Sequence, residues 1–377
     1  MALAVSTQPN QTNGTYVLNK ARSPVVYRFT GCNSEYSYKF ILYCSTGGAA
    51  DLTTIYATID RVPDIDGGIT VDAKNLLMNY IRNNYNIAPY TGTTGSHLNY
   101  TIIFKAQLAE YNSGSLVQTL NSNISSASMG YSENYSSFND VEEAETILNV
   151  NGSTTYEIGS SFNLFYKYNA VATGFDITYT DSSLSAHTFT TAFDSYTVSG
   201  NYTIKHIYCG YDDLTNRYSK SVNTDYPIVV EVGSETITLN PIPCNGNTQY
   251  TIRFMNKNGV IDYVYVNGKD EITEQIDYET YKYNKIDYST MSYNYSGGSY
   301  HKRFIMGKKK RTFNTGWINE SVVERLNDLY LSELVWLNNM PIIITNTDMK
   351  YKTTRFDKLI NYTIETEYAY DTINNII

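Results

Sequence analysis

The residues that could carry out chemistry are few and scattered along the chain. Nucleophilic, metal-dependent and nucleotide-binding catalysis each leave a local motif, yet the sequence contains no GxSxG, HExxH, GxxxxGK[ST] or GxGxxG pattern. The histidines lie far apart, and none has a second ligand at metal-site spacing: His97, His187, His206 and His301. We therefore predict structural or surface roles for them, no catalytic, cofactor-binding or metal-binding residues, and no enzymatic activity.

Two acidic segments could bind a cation. Asp64-Ile65-Asp66-Gly67-Gly68 resembles the opening of a calcium loop, but Asn75 stands where that loop needs its bidentate glutamate. We interpret this segment as an acidic turn before a helix. The second segment follows a polar linker and has the spacing of a solvated helical face, which we favour over a cation or acid–base site: Asp140, Glu142, Glu143 and Glu145.

A basic run from His301 to Arg311 stands out because the whole chain has a formal net charge of −9. Its charged members are Lys302, Arg303, Lys308, Lys309, Lys310 and Arg311. Three interpretations remain open: contact with nucleic acid, docking on an acidic surface of a partner or sister copy, or a solvated strand edge protected by lysines. The acidic balance of the chain argues against nucleic acid as the primary partner.

The four cysteines show no CxxC pair, so neither a zinc ribbon nor a disulfide scaffold is indicated: Cys32, Cys44, Cys209 and Cys244. We predict buried free thiols, although the sequence does not decide their disulfide state.

Composition favours a folded, mainly β protein. The 377 residues are 42% hydrophobic and only 17% charged, and 38 of them are tyrosine, which suits half-buried strands and contact surfaces. No segment approaches the ~20 apolar residues that span a bilayer. The start, Met1–Thr15, turns polar before an apolar signal region forms, so we expect a soluble chain that stays in the cytoplasm where it is made.

The first predicted domain, residues 1–125, is β-sandwich-like and carries one helix. Its first ~20 residues lack apolar periodicity and predict a flexible arm or an edge segment given to a neighbour. Strands are predicted at Val25–Phe29, Tyr36–Tyr43, Leu52–Val62 and Tyr100–Lys105. The helix has Asp72 as its predicted N-cap and an apolar stripe formed by Leu76, Leu77, Tyr80 and Ile81.

The second predicted domain, residues 126–240, is a β-sandwich after a soft boundary in the Ser- and Asn-rich stretch 112–139. Turn residues separate its strands at sandwich-like spacing. These strands are Phe162–Tyr168, Phe175–Tyr179, Tyr202–Tyr208, Ile228–Val232 and Thr236–Leu239.

The third predicted domain, residues 241–377, is α+β. Tyr250–Met255 and Val260–Val266 flank an Asn-Lys-Asn-Gly segment, which predicts a hairpin. A polar stretch, Glu271–Tyr300, leads through the basic run to a helix over Glu320–Ser332 that is N-capped by Asn319. Strands close the chain at Leu334–Leu337, Ile342–Thr345 and Tyr362–Tyr370. The predicted fold is thus mainly β, with tandem antiparallel β-sandwich-like domains, two packed helices and a C-terminal α+β domain.

Two groups of segments occur in a familiar order. The first group is Tyr36–Tyr43, Ala57–Gly67, Val71–Ile81 and Tyr100–Ala106, and the second is Tyr250–Tyr263, Phe313–Ile318, Pro341–Thr347 and Leu359–Glu367. Together they resemble tail-associated structural proteins of bacteriophages that infect Bacteroidetes, such as crAss-like phages. The resemblance is weakest from Asn112 to Asn151.

This resemblance implies a virion protein without enzymatic activity, built as a ring, hub or neck component and assembled in the host cytoplasm. The implied partners are sister copies in a ring and other tail, portal or neck proteins, with no cofactor and no membrane. Nucleic acid would be contacted only through Lys302–Arg311. The alternative is a carbohydrate-binding β-sandwich adhesion module of a phage or bacterial surface, with Tyr and Trp as stacking platforms.

Overall fold

The computed structural model describes residues 3–9, 11–12, 15–16, 18–46, 52–84, 101–131, 141–142, 147–150, 152–156, 162–168, 174–192, 203–242, 250–266, 270–282, 286–287, 289–293, 300–319, 323–346 and 359–370. The chain divides into two compact units. Unit 1 comprises Met1–Pro243 and Met255–Asp262, and unit 2 comprises Cys244–Phe254 and Tyr263–Ile377.

The first nineteen strands and the first helix of the chain belong to unit 1. They are β1 (Ala4–Thr7), β2 (Gln11–Thr12), β3 (Thr15–Tyr16), β4 (Leu18–Lys20), β5 (Val26–Thr30), β6 (Ser37–Ser45), β7 (Ile55–Arg61), β8 (Ile69–Asp72), α1 (Lys74–Asn84), β9 (Thr101–Asn112), β10 (Ser115–Asn121), β11 (Ser125–Ser128), β12 (Val141–Glu142), β13 (Ser153–Tyr156), β14 (Asn163–Tyr168), β15 (Gly174–Thr180), β16 (Ala186–Ala192), β17 (Thr203–Tyr208), a π-helical turn (Asp213–Arg217), β18 (Ile228–Val232) and β19 (Glu235–Pro241).

The remaining elements follow from residue 250 onward. They are β20 (Tyr250–Met255), β21 (Ile261–Val266), β22 (Asp270–Lys282), β23 (Ile286–Asp287), β24 (Ser292–Tyr293), β25 (Tyr300–Asn319), α2 (Val323–Tyr330), β26 (Val335–Leu337), β27 (Met340–Ile344) and β28 (Leu359–Tyr368). The predicted fold class is confirmed: the protein is mainly β, its sheets are predominantly antiparallel and β-sandwich-like, and its helices are short.

The N-terminal part of unit 1 is built from two sheets. A three-stranded sheet has the order β1-β5-β8, and a larger sheet runs β12-β4-β11-β9-β6-β7 with β10 attached to β9. Aromatic side chains from both sheets meet in the core: the Phe40 ring of β6 lies 5.5 Å from Tyr27 and 6.3 Å from Phe29 of β5. Alternating side chains of β5 and β6 thus bury one face of each sheet against the other.

Helix α1 packs through the predicted apolar stripe. Leu77, Met78 and Ile81 are buried, and the Tyr80 ring lies 4.8 Å from Tyr56 of β7. The predicted N-cap, Asp72, is the last residue of β8; its Oδ1 accepts hydrogen bonds from the N–H groups of Lys74 (2.9 Å) and Val25 (3.0 Å). Asp72 therefore satisfies an orphan donor at the helix start while also joining two strands.

The second half of unit 1 contains a five-stranded sheet, β13-β19-β18-β15-β16, and a two-stranded pair, β14-β17. The Asp181 carboxylate organises the β15–β16 hairpin: it accepts from the N–H groups of Ser183 and Ser185 and contacts His187 Nε2 at 2.8 Å. Hydrogen bonds from Ser183, Ser185 and His187 hold the pKa of Asp181 well below its usual range.

The tip of the predicted β20–β21 hairpin packs within unit 1. Asn256 is 2% exposed; its Nδ2 donates to the Leu148 carbonyl at 2.8 Å, and its Oδ1 accepts from the Asn258 N–H at 3.0 Å. Gly259 has φ +78°, and a Cβ there would lie 2.5 Å from the Gly130 nitrogen. The Asn-Gly signal predicted this hairpin correctly because only glycine fits the tip.

Unit 2 is a seven-stranded sheet covered by α2. The strand order is β21-β20-β26-β27-β28-β25-β22. Leu326 and Leu329 of α2 bury against Phe254, Phe313 and Ile364 of the sheet in one core cluster. The predicted start of this helix, at Glu320, lies outside the described residues; Asn319, the predicted N-cap, ends β25.

Several expectations need correction. The predicted N-terminal arm is not an arm where the structure describes it, because β1 pairs with β5 and β4 pairs with β11 of the same chain. Short Thr- and Ser-containing segments form strands here because existing sheet edges supply their partners. Likewise the polar stretch Glu271–Tyr300 begins with a strand, β22, whose charged side chains are matched by β25.

The three-domain division stays a prediction. Its first boundary, between residues 125 and 126, falls within β11, which pairs with both β9 and β4. Its second boundary, between residues 240 and 241, lies close to the division of the units after Pro243.

The buried cysteines agree with the prediction of free thiols for Cys32, Cys44 and Cys209, while Cys244 lies outside the described residues. Burial raises the pKa of Cys32 to about 11 and that of Cys44 to about 12, so both stay protonated at neutral pH.

Candidate functional site

The basic run lies on β25, the longest of the described strands. Among the described strands β22 pairs with β25 along the whole run, whereas β28 pairs with its other side only from Lys310 onward. The strand-edge interpretation is therefore wrong for Lys310 and Arg311, while β28 does not reach His301–Lys309. Both neighbouring strands are acidic. Where β25 is an interior strand, its basic residues are favourable because carboxylates of β22 and β28 lie across from them.

We define the ribbon as β22 together with Tyr300–Phe313 of β25. The two strands are antiparallel, from Asp270 opposite Phe313 to Lys282 opposite Tyr300, and a bulge interrupts the register between Asp277 and Glu279. The bulge lies on β25, where Phe304 and Ile305 oppose the single residue Tyr278, and Phe304 has φ +51°, a left-handed conformation that non-glycine residues seldom adopt.

Ion pairs hold the ribbon and its neighbour together. The Arg311 guanidinium donates to Asp270 through Nε at 2.8 Å, and Arg303 lies 3.2 Å from Glu279. On the other side, Lys308 Nζ donates to Glu367 of β28 at 2.9 Å. The Arg311 pair is the least exposed of these, and its cation also lies 4.0 Å from the Tyr250 ring centre, so its contribution is the least screened by solvent.

The charges of the three strands balance. β22 has five acidic residues and one lysine, β25 has six basic residues, and β28 has two acidic residues. Across this part of the sheet the basic run is therefore neutralised by its own chain. A surface whose affinity depended on phosphate contacts would instead leave an excess of positive charge facing outward.

The distal ribbon, Ile276–Lys282 with Tyr300–Gly307, extends beyond the reach of the third strand. β28 pairs with β25 only from Lys310 onward. Among the described residues the distal ribbon is therefore two-stranded, and both faces of β22 are exposed from Glu271 to Lys282. A two-stranded hairpin of this kind is at best marginally stable in water without further contacts.

Exposed apolar side chains line the ribbon, most of them in its distal part. Ile272, Ile276 and Tyr278 alternate onto one face of β22, where Ile276 is 52% exposed. Tyr300 opposes Lys282 on the same face and is 69% exposed. Met306 is also exposed, opposite Asp277 on the other face. Several large apolar groups along one short ribbon are the feature expected of an interaction surface.

Cations cover several of the aromatic rings. Lys302 Nζ lies 3.9 Å from the centre of the Tyr278 ring, and the Arg303 guanidinium lies 5.1 Å from Phe304 and 5.8 Å from Tyr281. These contacts are cation–π interactions that orient the side chains along the ribbon. The basic residues of the distal ribbon thus make their contacts with aromatic rings of the ribbon itself.

The histidines belong to different parts of the chain. His187 belongs to unit 1 and His301 to unit 2, where the His301 ring lies 5.7 Å from Tyr281. His97 and the His206 side chain lie outside the described residues. In the described part of the chain, no three His, Cys, Asp or Glu side chains lie close enough together to hold a metal ion.

The acidic segment that resembles a calcium loop forms a turn closed by an ion pair. Asp66 pairs with Arg28 of β5, and the Asp64 N–H donates to the Gly68 carbonyl at 2.6 Å. Of the second acidic segment, only the backbone of Glu142 is described; Asp140, Glu143 and Glu145 lie outside the described residues. None of the described helices is long and apolar enough to cross a membrane.

Comparisons with known proteins give little. No protein-family model matches the chain, and no curated protein matches it. Among solved structures, a tetra-tandem repeat from the extending region of a large adhesion protein has a TM-score of 0.23 at 9% identity, covering 83% of this chain and 69% of that one. E. coli alpha-2-macroglobulin also has a TM-score of 0.23, at 10% identity, covering 84% of this chain and 19% of that one. The chain thus spans about a fifth of the macroglobulin, and likenesses at this TM-score assign it no function.

Sequence reasoning identified one strand of the ribbon and missed the other. The basic residues of β25 drew attention by their charge, whereas β22 was included in a polar stretch. The signal that could have found β22 is the alternation of Ile272, Ile276 and Tyr278 on one face, together with carboxylates spaced to meet the basic run.

Proposed function

We propose that this chain is a non-enzymatic structural protein that assembles with copies of itself through the ribbon, as a component of a phage tail or neck. The observation that carries the proposal is the distal ribbon: a two-stranded extension of the unit 2 sheet with exposed apolar side chains and an open edge along β22. The virion setting rests on the resemblance of the sequence segments to phage tail proteins.

The open edge of β22 supports assembly by strand addition. Its outward N–H and C=O groups have no strand partner within the described sheet, and an added strand would satisfy them. The same event would cover Ile276 and Tyr278 and supply the third strand that the distal ribbon lacks. The new hydrogen bonds and the burial of apolar side chains would occur at the same part of the ribbon. Association would therefore also stabilise the ordered conformation of the ribbon.

Charge balance supports a protein partner. The lysines and arginines of β25 lie between acidic strands, so the ribbon presents mixed charge with apolar groups between. Protein interfaces commonly combine apolar and aromatic anchors with a polar rim.

The test compares two lysine substitutions at isoleucines of equal exposure. Ile276 of the ribbon and Ile55 of β7 are each 52% exposed. Light scattering and negative-stain imaging of the purified chain, across a concentration series, would give mass and symmetry. We expect discrete oligomers that Ile276→Lys abolishes and Ile55→Lys retains. A wild-type chain that stays monomeric at every concentration, or equal loss in both variants, would overturn the proposal.

A carbohydrate-binding adhesion module is the second candidate, favoured by one observation: the distal ribbon exposes several aromatic rings. Cations near Tyr278, Tyr281 and Phe304 compete for the ring faces on which a sugar would stack, which leaves Tyr300 as the best platform. A glycan array with wild type and Tyr300→Ala decides this reading. Saturable binding that the variant loses would support it, and no binding by wild type would exclude it for the glycans on the array.

A further inference from the structure

We propose that the partner of the ribbon is a second copy of this chain, and that the two β22 strands pair antiparallel about a two-fold axis at Ile276. This inference rests on the proposed assembly function and specifies its contact. It follows from the edges of the unit 2 sheet and from the charge pattern of one strand.

In the described part of the unit 2 sheet, β22 is the one regular open edge, because the side of β25 that β28 leaves uncovered before Lys310 is interrupted by a bulge at Phe304. The end strands of the sheet are β21 and β22. Every residue of β21, Ile261–Val266, is buried, whereas β22 is exposed from Glu271 to Lys282. Head-to-tail addition would place β22 against the bulged edge of β25, whereas a contact that uses the same edge on both copies is isologous and has two-fold symmetry. The exposed edge therefore favours β22 against β22.

The charge pattern of β22 selects one register. Ile276 is the central residue of the strand, and a two-fold axis there leaves no carboxylate opposite another carboxylate. The resulting opposed pairs are Asp270 with Lys282, Glu271 with Tyr281, Ile272 with Thr280, Thr273 with Glu279, Glu274 with Tyr278, and Gln275 with Asp277. The terminal pairs attract each other, and like charges directly opposite, which destabilise antiparallel pairs, are avoided throughout.

Neighbouring registers lack this property. A shift by one position brings Glu274 opposite Asp277 in one direction or opposite Glu279 in the other. A shift by two positions brings Glu271 opposite Glu279, or Asp277 opposite its own copy. An acidic edge strand ordinarily repels a second copy, which is one way that proteins protect their edges. In β22 the carboxylates of the two copies would oppose and repel each other in the shifted registers, whereas in the central register no two carboxylates are opposed.

The length of β22 distinguishes it from other exposed edges. It pairs along 13 residues, whereas the exposed edge strands β7 and β16 of unit 1 have 7 residues each. In the central register Ile276 meets its own copy, and the exposed Ile272 and Tyr278 lie on the same face beside it. The contact would therefore have an apolar centre with charged pairs at its ends.

The first test is site-specific disulfide formation in the full chain with Cys244→Ser; the remaining described cysteines are buried. Ile276→Cys places one thiol opposite its own copy and should give a covalent dimer under mild oxidation. Ile272→Cys is the control on the same face, because its two copies would lie eight positions, roughly 26 Å, apart along the paired strands, far beyond disulfide reach. Thr280→Cys should also fail alone but cross-link when mixed with Ile272→Cys.

The second test measures self-association by sedimentation velocity. Gln275→Glu places a carboxylate opposite Asp277 at two symmetric positions, so we expect the dissociation constant to rise by roughly tenfold. Gln275→Lys should lower it. Within its own chain Gln275 opposes Lys308, so Gln275→Glu adds a local attraction and should keep the ribbon folded. An effect in the opposite direction for both variants would overturn the proposed register.

The outcomes separate the two proposals. Oligomers that depend on Ile276 but form no disulfide through Ile276→Cys would retain the assembly function and overturn the two-fold β22 contact. Cross-linking of Ile272→Cys alone, as efficient as that of Ile276→Cys, would also overturn it. If the wild-type chain showed no concentration-dependent association, the assembly function itself would be overturned.

Discussion

Two hairpins at opposite ends of the unit 2 strand order show contrasting chemistry. The β20–β21 hairpin ends in Asn256–Gly259, a polar tip that is fastened by hydrogen bonds to backbone carbonyls and amides. The β22–β25 hairpin instead has exposed apolar groups and is held by charged side chains. The polar tip of the first hairpin is thus buried and hydrogen-bonded, whereas the charged and apolar side chains of β22 are exposed to solvent.

The comparison indicates which interactions stabilise each pair of strands. Buried hydrogen bonds are costly to break because the remaining group stays desolvated, whereas exposed ion pairs lose little when one partner is removed. We therefore expect substitutions in the first hairpin to affect folding and those in the distal ribbon to affect association. Three predictions test this distinction.

The largest effect is expected at Gly259. Its φ of +78° and the backbone atoms of Gly130 and Met129, which would lie 2.5–2.9 Å from a Cβ, leave no room for alanine. Gly259→Ala should lower the free energy of unfolding by roughly 2–5 kcal/mol. Gly114→Ala is the matched control, since Gly114 has φ +84° but nothing within 4 Å; it should cost only about 1 kcal/mol. Urea titrations measure both, and similar losses would contradict the steric explanation.

A smaller effect is expected at Asn256. Asn256→Ala removes the donor to the Leu148 carbonyl and the acceptor for the Asn258 and Val260 amides, at a cost of roughly 2–3 kcal/mol. Asn258→Ala removes one donor to the same carbonyl and should cost about 1 kcal/mol. The same urea titrations compare the two. An Asn258 variant that is the less stable of the pair would contradict the role given to Asn256.

The smallest effect is expected at Arg303. Its pair with Glu279 is exposed on both sides, so Arg303→Gln should change unfolding by about 0.5 kcal/mol or less. Arg311→Gln, in the same strand, removes a half-buried pair with Asp270 and should cost about 1–3 kcal/mol. Raising the salt concentration should reduce the Arg303 effect further. Equal losses of unfolding free energy in the two variants would contradict the difference we assign to Arg311, where β28 also pairs with β25, and Arg303 in the distal ribbon.

Local signals predicted the first hairpin and failed for the second. An Asn-Gly between alternating apolar runs specifies both a turn and its flanking strands, so β20 and β21 were found from the sequence. In β22, by contrast, aspartate, glutamate and lysine are poor strand formers, and the strand depends on a partner eighteen residues further along the chain. Pairing of that kind is decided by tertiary context.

The prediction for the N-terminal segment was wrong for a related reason. Ala4–Thr7 has weak alternation and few apolar residues, so nothing local indicates that it joins β5 as an edge strand. The helix stripe at Leu77 and Ile81 and the buried thiols were predictable, because burial follows directly from residue type and periodicity. For the candidate site, the sequence indicated the charge of β25 but not the carboxylates that offset it.

Unit 1 is discontinuous, since it includes Met255–Asp262 from beyond Pro243. A single genetic crossover after Pro243 would separate unit 1 from Asn256 and Gly259, and would leave the Leu148 carbonyl without its two asparagine donors. The two units can therefore be exchanged between related genes only by events that carry this short segment along. We expect the two units of this chain to be inherited together.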